Sequence, residues 1–125
     1  MKSIIITTIA AAGLFVTANV FAADMPPIAK KNGCTACHSI GHKVVGPAWM
    51  DVSKKYKGVS KYKYSKKGSS ASGAKEYPLV EGLMVKVSKG GHGNWGSTNM
   101  IANDPHGKKQ PAIKELVEFI LGLAK

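Results

Sequence analysis

The sequence predicts an all-α domain of three to five helices. Three observations carry that prediction. Residues 111–124 place Ile113, Leu116, Val117, Ile120, Leu121 and Ala124 on one helical face. Shorter stretches at 50–56 (Val52, Tyr56) and 79–87 (Leu79, Leu83, Val87) repeat that spacing. No internal repeat and no strand-like alternation of any length stands out. A length of 125 residues suits one domain.

The elements follow in chain order. Met1-Lys2-Ser3 is a short basic start, and Ile4 to Val20 is uncharged. Phe21-Ala22-Ala23-Asp24 then brings small residues and the first acid. This pattern predicts a secretory signal peptide over residues 1–22, cut after Ala22, with Ala23 the neighbouring alternative. An uncleaved membrane anchor competes, because an uncharged run of about 20 residues can span a bilayer. Thr7, Thr8, Thr17 and Asn19 dilute that run.

Pro26-Pro27 opens a short helix, where proline is tolerated in the first turn. Gly33 either lets two helices approach closely or simply stops this one. Ser39 to Val45 reads as a loop, Gly46-Pro47-Ala48-Trp49 as a turn, and Met50 to Tyr56 as a short helix. From Lys57 to Pro78 the chain is rich in Lys, Ser and Gly with no acid before Glu76. That stretch predicts a solvated, mobile loop. Leu79 to Val87 predicts a helix ended by Gly90-Gly91, and residues 91–110 an irregular segment. Pro111 to Ala124 is the clearest helix.

Composition narrows the function. Apolar residues are 44% and charged residues 20%, which excludes a disordered tail and a multi-span membrane protein. All 18 basic residues are Lys, against 7 acids, for a formal charge of +11. The lack of Arg argues against nucleic-acid recognition, which favours the bidentate guanidinium. Two cysteines exclude a multi-disulfide scaffold.

Both cysteines fall in Cys34-Thr35-Ala36-Cys37-His38. C-x-x-C-H is the attachment signature of c-type haem. Two thiols add across the two vinyl groups, and the adjacent imidazole supplies an axial iron ligand. The competing readings are weaker. A thioredoxin-like pair needs a βαβ context, a structural zinc site needs four ligands, and a plain disulfide leaves His38 without a role.

Together the pieces resemble the small bacterial class I cytochromes c of the c-551/c-552 group. The matching stretches are Gly33-Cys34-Thr35-Ala36-Cys37-His38, Val45-Gly46-Pro47-Ala48-Trp49, Asp51 to Tyr56, Trp95 to Met100, Asn103 and the apolar C-terminal helix. The resemblance covers residues 23–125 except a Lys/Ser/Gly-rich insertion at about 58–77. It implies a class I cytochrome c fold around one haem c, covalent through Cys34 and Cys37, with His38 and Met100 on the iron. Pro47 would accept the second ring N–H of His38. Trp95 would donate to a haem propionate, Asn103 would sit near the Met100 sulfur, and Trp49 would line the haem pocket. The terminal helices would cross at Gly33, against Phe119 or Ile120. Two departures stand out. Ile101-Ala102 replaces the group's prolines after Met100, which would loosen the ligand loop, and no Arg is present for the propionates.

Rival ligands are weighed against Met100. Met25 lies at the N-terminus, Met50 in a helix, and Met84 on an apolar stripe where methionine is a packing residue. His106 is the best rival, ahead of His42 and His92, and a Lys from a nearby loop is a further one.

The implied function is a periplasmic monohaem electron carrier, with no catalytic residue to nominate. Its expected partners are acidic redox proteins (oxidase, reductase or dehydrogenase) docking at a Lys-rich surface. Nucleic acid is not expected, membrane contact is transient at most, and a monomer is expected. Simple solubility is the competing reason for the lysines at 61–67. The competing function is a peroxidase-like enzyme or gas sensor with an open iron position and His92 as distal group. A bound Met100 would defeat it.

Overall fold

The computed structural model describes residues 23–125. The signal-peptide expectation for residues 1–22 lies outside that range. Helix α1 spans Pro27–Lys31, followed by a single 3₁₀ turn at Cys34–Ala36. Helix α2 spans Trp49–Tyr56, strands β1 and β2 span Lys61–Tyr64 and Lys75–Pro78, and helices α3 and α4 span Leu79–Lys89 and Gln110–Leu121. Among the described residues four helices stand in the expected range and at the expected places. Among the described residues no helix is long and apolar enough to cross a membrane.

Local chemistry explains the helix limits. Pro27 and Pro111 sit in first turns, where their missing N–H costs nothing. Asp51 and Glu81 lie in the first turns of α2 and α3, and Lys54, Lys55, Lys86 and Lys89 in the last, each matching the helix dipole. The buried Asp104 carboxylate accepts the N–H groups of Lys108 and Lys109, each at 2.8 Å, and so satisfies donors at the start of α4. Gln110 Nε2 donates to it as well, at 2.8 Å. Burial alone would push this carboxyl up. The Lys109, Gln110 and Lys108 donors outweigh burial and hold it below its ordinary value.

One helix serves two core clusters. Ile113 and Val117 of α4 pack with Tyr56, Tyr62, Tyr64 and Leu83. Leu116 and Ile120, on the next stripe of α4, pack with Ala29 and Trp49. Met84 packs at the edge of the first cluster, as expected. Ser53, 1% exposed, locks α2 to the C-terminal end of α4: its hydroxyl donates to Leu121 O and accepts from Ala124 N–H, both at 2.9 Å.

Two expectations are corrected. The stretch predicted to be a mobile loop contains an antiparallel hairpin, with Tyr62 opposite Tyr77 and Lys63 opposite Glu76. Lys61-Tyr62-Lys63-Tyr64 alternates exposed and buried, which is the period-2 pattern of a half-buried strand. The motif is only four residues long, and its Lys-rich face hides it among loop-like neighbours. An exposed Lys61–Glu76 ion pair at 2.7 Å joins the strands. The second correction concerns the helix crossing. A Cβ at Gly33 would meet nothing within 4 Å, so close approach is not its role. Gly33 takes a left-handed φ of 72° after α1 ends, and α1 meets α4 through Ala29, which is 0% exposed.

Candidate haem site

The 3₁₀ turn is the frame of the attachment motif. Cys37 N–H and His38 N–H both reach Cys34 O, at 3.2 and 3.0 Å. One tight turn therefore carries two half-buried free thiols and an imidazole to the same cavity. Burial pushes the Cys34 thiol up from its ordinary value. A thiol shifted in that direction is not the activated thiolate a dithiol oxidoreductase requires.

His38 is held by three contacts. Its Nδ1 donates to Pro47 O at 2.9 Å; a carbonyl only accepts, so this bond leaves Nε2 as the free ring nitrogen. Gly46 lies flat against the ring, because a Cβ there would fall 2.4 Å from Cε1. The Gly46 N–H in turn donates to Cys37 O at 2.8 Å, closing the loop onto the motif. Trp49, 3% exposed at the start of α2, sets its ring 6.0 Å from that of His38 and edge-on to Phe119 at 6.3 Å.

Met100 enters from the far end of the sequence. It forms an isolated antiparallel bridge with Gly91: Met100 N–H donates to Gly91 O at 3.0 Å and Gly91 N–H to Met100 O at 2.9 Å. The segment after it, expected to be loose without prolines, is tied to the end of α3. Asn103 and Asp104 donate backbone N–H groups to Val87 O and Ser88 O, carbonyls that the helix end leaves without a partner of its own. The Asn103 amide is directed at the carbonyls of Ile101 and Val87, at 3.2 and 3.4 Å. Trp95 is 37% exposed, with Lys55 Nζ 4.2 Å from its ring centre and donating to Asn94 O at 2.8 Å.

These parts enclose a cavity of about 330 Å³ with mostly apolar walls. Cys34, Cys37, His38, Pro47, Trp49, Trp95, Met100 and Asn103 all line it. Of Met25, Met50, Met84 and Met100, only Met100 does. His106, the rival imidazole preferred from sequence, is exposed and outside the lining, as is His42; His92 is the one that faces it.

Three wall residues were given no role from the sequence alone. Gly46 acts through what it lacks. Asn94 places a buried Oδ1 on the wall without a partner. Lys86 lines the cavity with its ammonium lowered by burial and bonded to Gly91 O at 2.7 Å. Only Gly46, inside Val45-Gly46-Pro47, lay in a stretch that sequence could single out.

The residues fit a covalent haem. The walls are apolar, two free thiols face the cavity, one imidazole nitrogen is unspent, and a buried amide oxygen lacks a partner. With no Arg available, Lys43 and Lys86 are the cations on the wall.

No protein-family profile matches the chain. Individual proteins do. The chain is 39% identical over 98 residues to a cytochrome c-551 of Allochromatium vinosum, covering 77% of this chain and 82% of that one. It is 36% identical over 96 residues to a cytochrome c-552 of Hydrogenobacter thermophilus, covering 77% and 78%. The crystal structure of Nitrosomonas europaea cytochrome c552 superposes with a TM-score of 0.55 at 31% identity, over 77% of this chain and 95% of that one. Attachment turn, cavity, fold and relatives agree: the chain belongs to the cytochrome c-551/c-552 family of small class I cytochromes, which carry covalent haem c.

Proposed function

We propose that this electron-carrier cytochrome works in the periplasm, with His38 and Met100 as axial ligands, and passes single electrons between acidic redox partners. The observation that carries the reading is the shared cavity. His38 presents an unspent Nε2 to it, and Met100 is the only described methionine on its wall. Bound haem supplies a one-electron couple, and thioether ligation favours the ferrous state and raises the potential.

The chain's own residues set the conditions. Pro47 O and Gly46 hold the imidazole in one tautomer and one orientation. Trp49, Leu83, Val117 and Ile120 exclude water from one side. Cys34 and Cys37 are the thioether donors that prevent loss of the group. Lys54, Lys55, Lys57, Lys61, Lys63, Lys66, Lys67 and Lys75 are all exposed, with no acid between Asp51 and Glu76. This field would steer acidic partners and would weaken with salt. Residues 1–22 supply the export signal in this reading.

The test is the optical spectrum of the holoprotein. Ferric protein is expected to show the weak near-red band of methionine sulfur on low-spin iron, and Met100→Ala to abolish it. A low-spin spectrum without that band would move the ligand to His or Lys. A high-spin spectrum that responds to carbon monoxide or peroxide would favour the enzyme or sensor reading.

A further inference from the structure

The loop that ends in Met100 starts at Gly90, and the hairpin grips that start at three points. Tyr64 Oη, buried on the inner face of β1, donates to Gly90 O at 3.2 Å. Lys66 O, just past the strand, accepts the His92 N–H at 2.9 Å. Gly68 then lies directly on Gly93: a Cβ on Gly68 would come 2.9 Å from Gly93 Cα, and one on Gly93 would come 2.4 Å from Lys67 O. Gly91, which forms the bridge with Met100, lies inside this gripped stretch and against Lys66: a Cβ there would come 2.5 Å from Lys66 O. Lys55, from α2, holds Asn94 O further along the same loop.

We propose that the hairpin is a clamp on the Met100 loop, and that Tyr64, Lys66 and Gly68 are positioning residues for the thioether. The proposal rests on the reading of Met100 as an iron ligand. The physical case is that this loop has no prolines to stiffen it and little apolar burial of its own: Trp95 to Asn99 are all exposed. Its order must come from backbone contacts, and the hairpin supplies those closest to the Gly91–Met100 bridge. Opening of such a segment is a local event whose free energy is set by the few contacts it breaks.

The experiment compares Tyr64→Phe, Gly68→Ala and Gly73→Ala as full-chain holoproteins. Gly73 is the control: it lies in the same hairpin at a similar positive φ, 82° against 103°, but a Cβ there meets nothing within 4 Å. Three properties are read: the near-red band, the rate at which imidazole binds the ferric protein, and amide exchange at His92 and Met100. Tyr64→Phe is expected to speed imidazole binding about three- to tenfold. Gly68→Ala is expected to speed it about tenfold or more, with a weaker band and a lower potential. Gly73→Ala carries the strain of a Cβ at positive φ without the clash, so it is expected to fall well short of Gly68→Ala in all three properties.

Parent-like behaviour of Tyr64→Phe and Gly68→Ala would overturn the clamp, as would equal effects at Gly68 and Gly73. If Gly68→Ala does not fold, Tyr64→Phe decides alone. A parent protein without the near-red band would instead defeat the ligand reading. The clamp would then stand or fall on whether Tyr64→Phe accelerates exchange at His92 and Met100.

Discussion

Replacing Gly46 by Ala puts one methyl group where the imidazole of His38 already sits. The added Cβ would lie 2.4 Å from Cε1 and 2.9 Å from both ring nitrogens. Ordinary contact begins near 3.4 Å, so the ring or the turn must retreat by about 1 Å. If the ring moves, the 2.9 Å bond to Pro47 O opens past hydrogen-bonding range. If the turn moves, the 2.8 Å bond from Gly46 N–H to Cys37 O goes instead. Either way the overpacking costs about 1–3 kcal/mol, or roughly 5–20 °C in melting temperature for a domain of this size.

The two routes separate in the potential. With His38 on the iron as proposed, losing the Nδ1–H donor bond would make the imidazole a poorer electron donor and stabilise ferric iron less. The potential then rises, by about 40 mV for each kcal/mol of ferric stabilisation lost. Movement of the turn alone leaves the potential in place. The assays are thermal unfolding followed by circular dichroism and voltammetry of the same holoprotein. A variant that melts within about 2 °C of the parent at an unchanged potential would refute the close-approach argument.

Other substitutions test the frame around the site. Ser53→Ala leaves Leu121 O and Ala124 N–H without their partner, and should cost about 1–3 kcal/mol with the denaturant slope unchanged; an unaltered unfolding midpoint would show that water replaces the hydroxyl. Asp104 is held below its ordinary value of 3.8, so its contribution is present above that value and is lost as pH falls through the lower folded one. The parent should therefore lose more stability than Asp104→Asn between about pH 5 and pH 2, and parallel pH curves would contradict this.

Much of this protein could be read before any tertiary structure. Cys34, Cys37 and His38 are adjacent in the chain, and one helical turn is enough to set their spacing. Pro47 came with them through Val45-Gly46-Pro47. The helices were legible because Ile113, Leu116, Val117 and Ile120 recur at a period that only one regular structure produces. Even the choice of Met84 as core came from a stripe of the same spacing on α3.

Other features depend on which distant segments meet, and spacing carries no record of that. Four alternating residues, Lys61 to Tyr64, became a strand because Tyr62 and Tyr64 found Leu83 and Val117 to bury against. The helix crossing fell at Ala29 rather than Gly33, since burial of a small side chain, not its absence, was what α4 could use. His106 stands exposed and off the cavity wall, beside the turn where Asp104 accepts the N–H groups at the start of α4. Asn94 and Lys86 reached the cavity wall only through the folding of segments around them. The sequence by itself determined the local chemistry: an attachment turn, its imidazole and an apolar helix to cover them. The resemblance to the family named the loop that faces that turn; the tertiary structure alone decided what holds that loop in place, because those contacts join residues far apart in the chain.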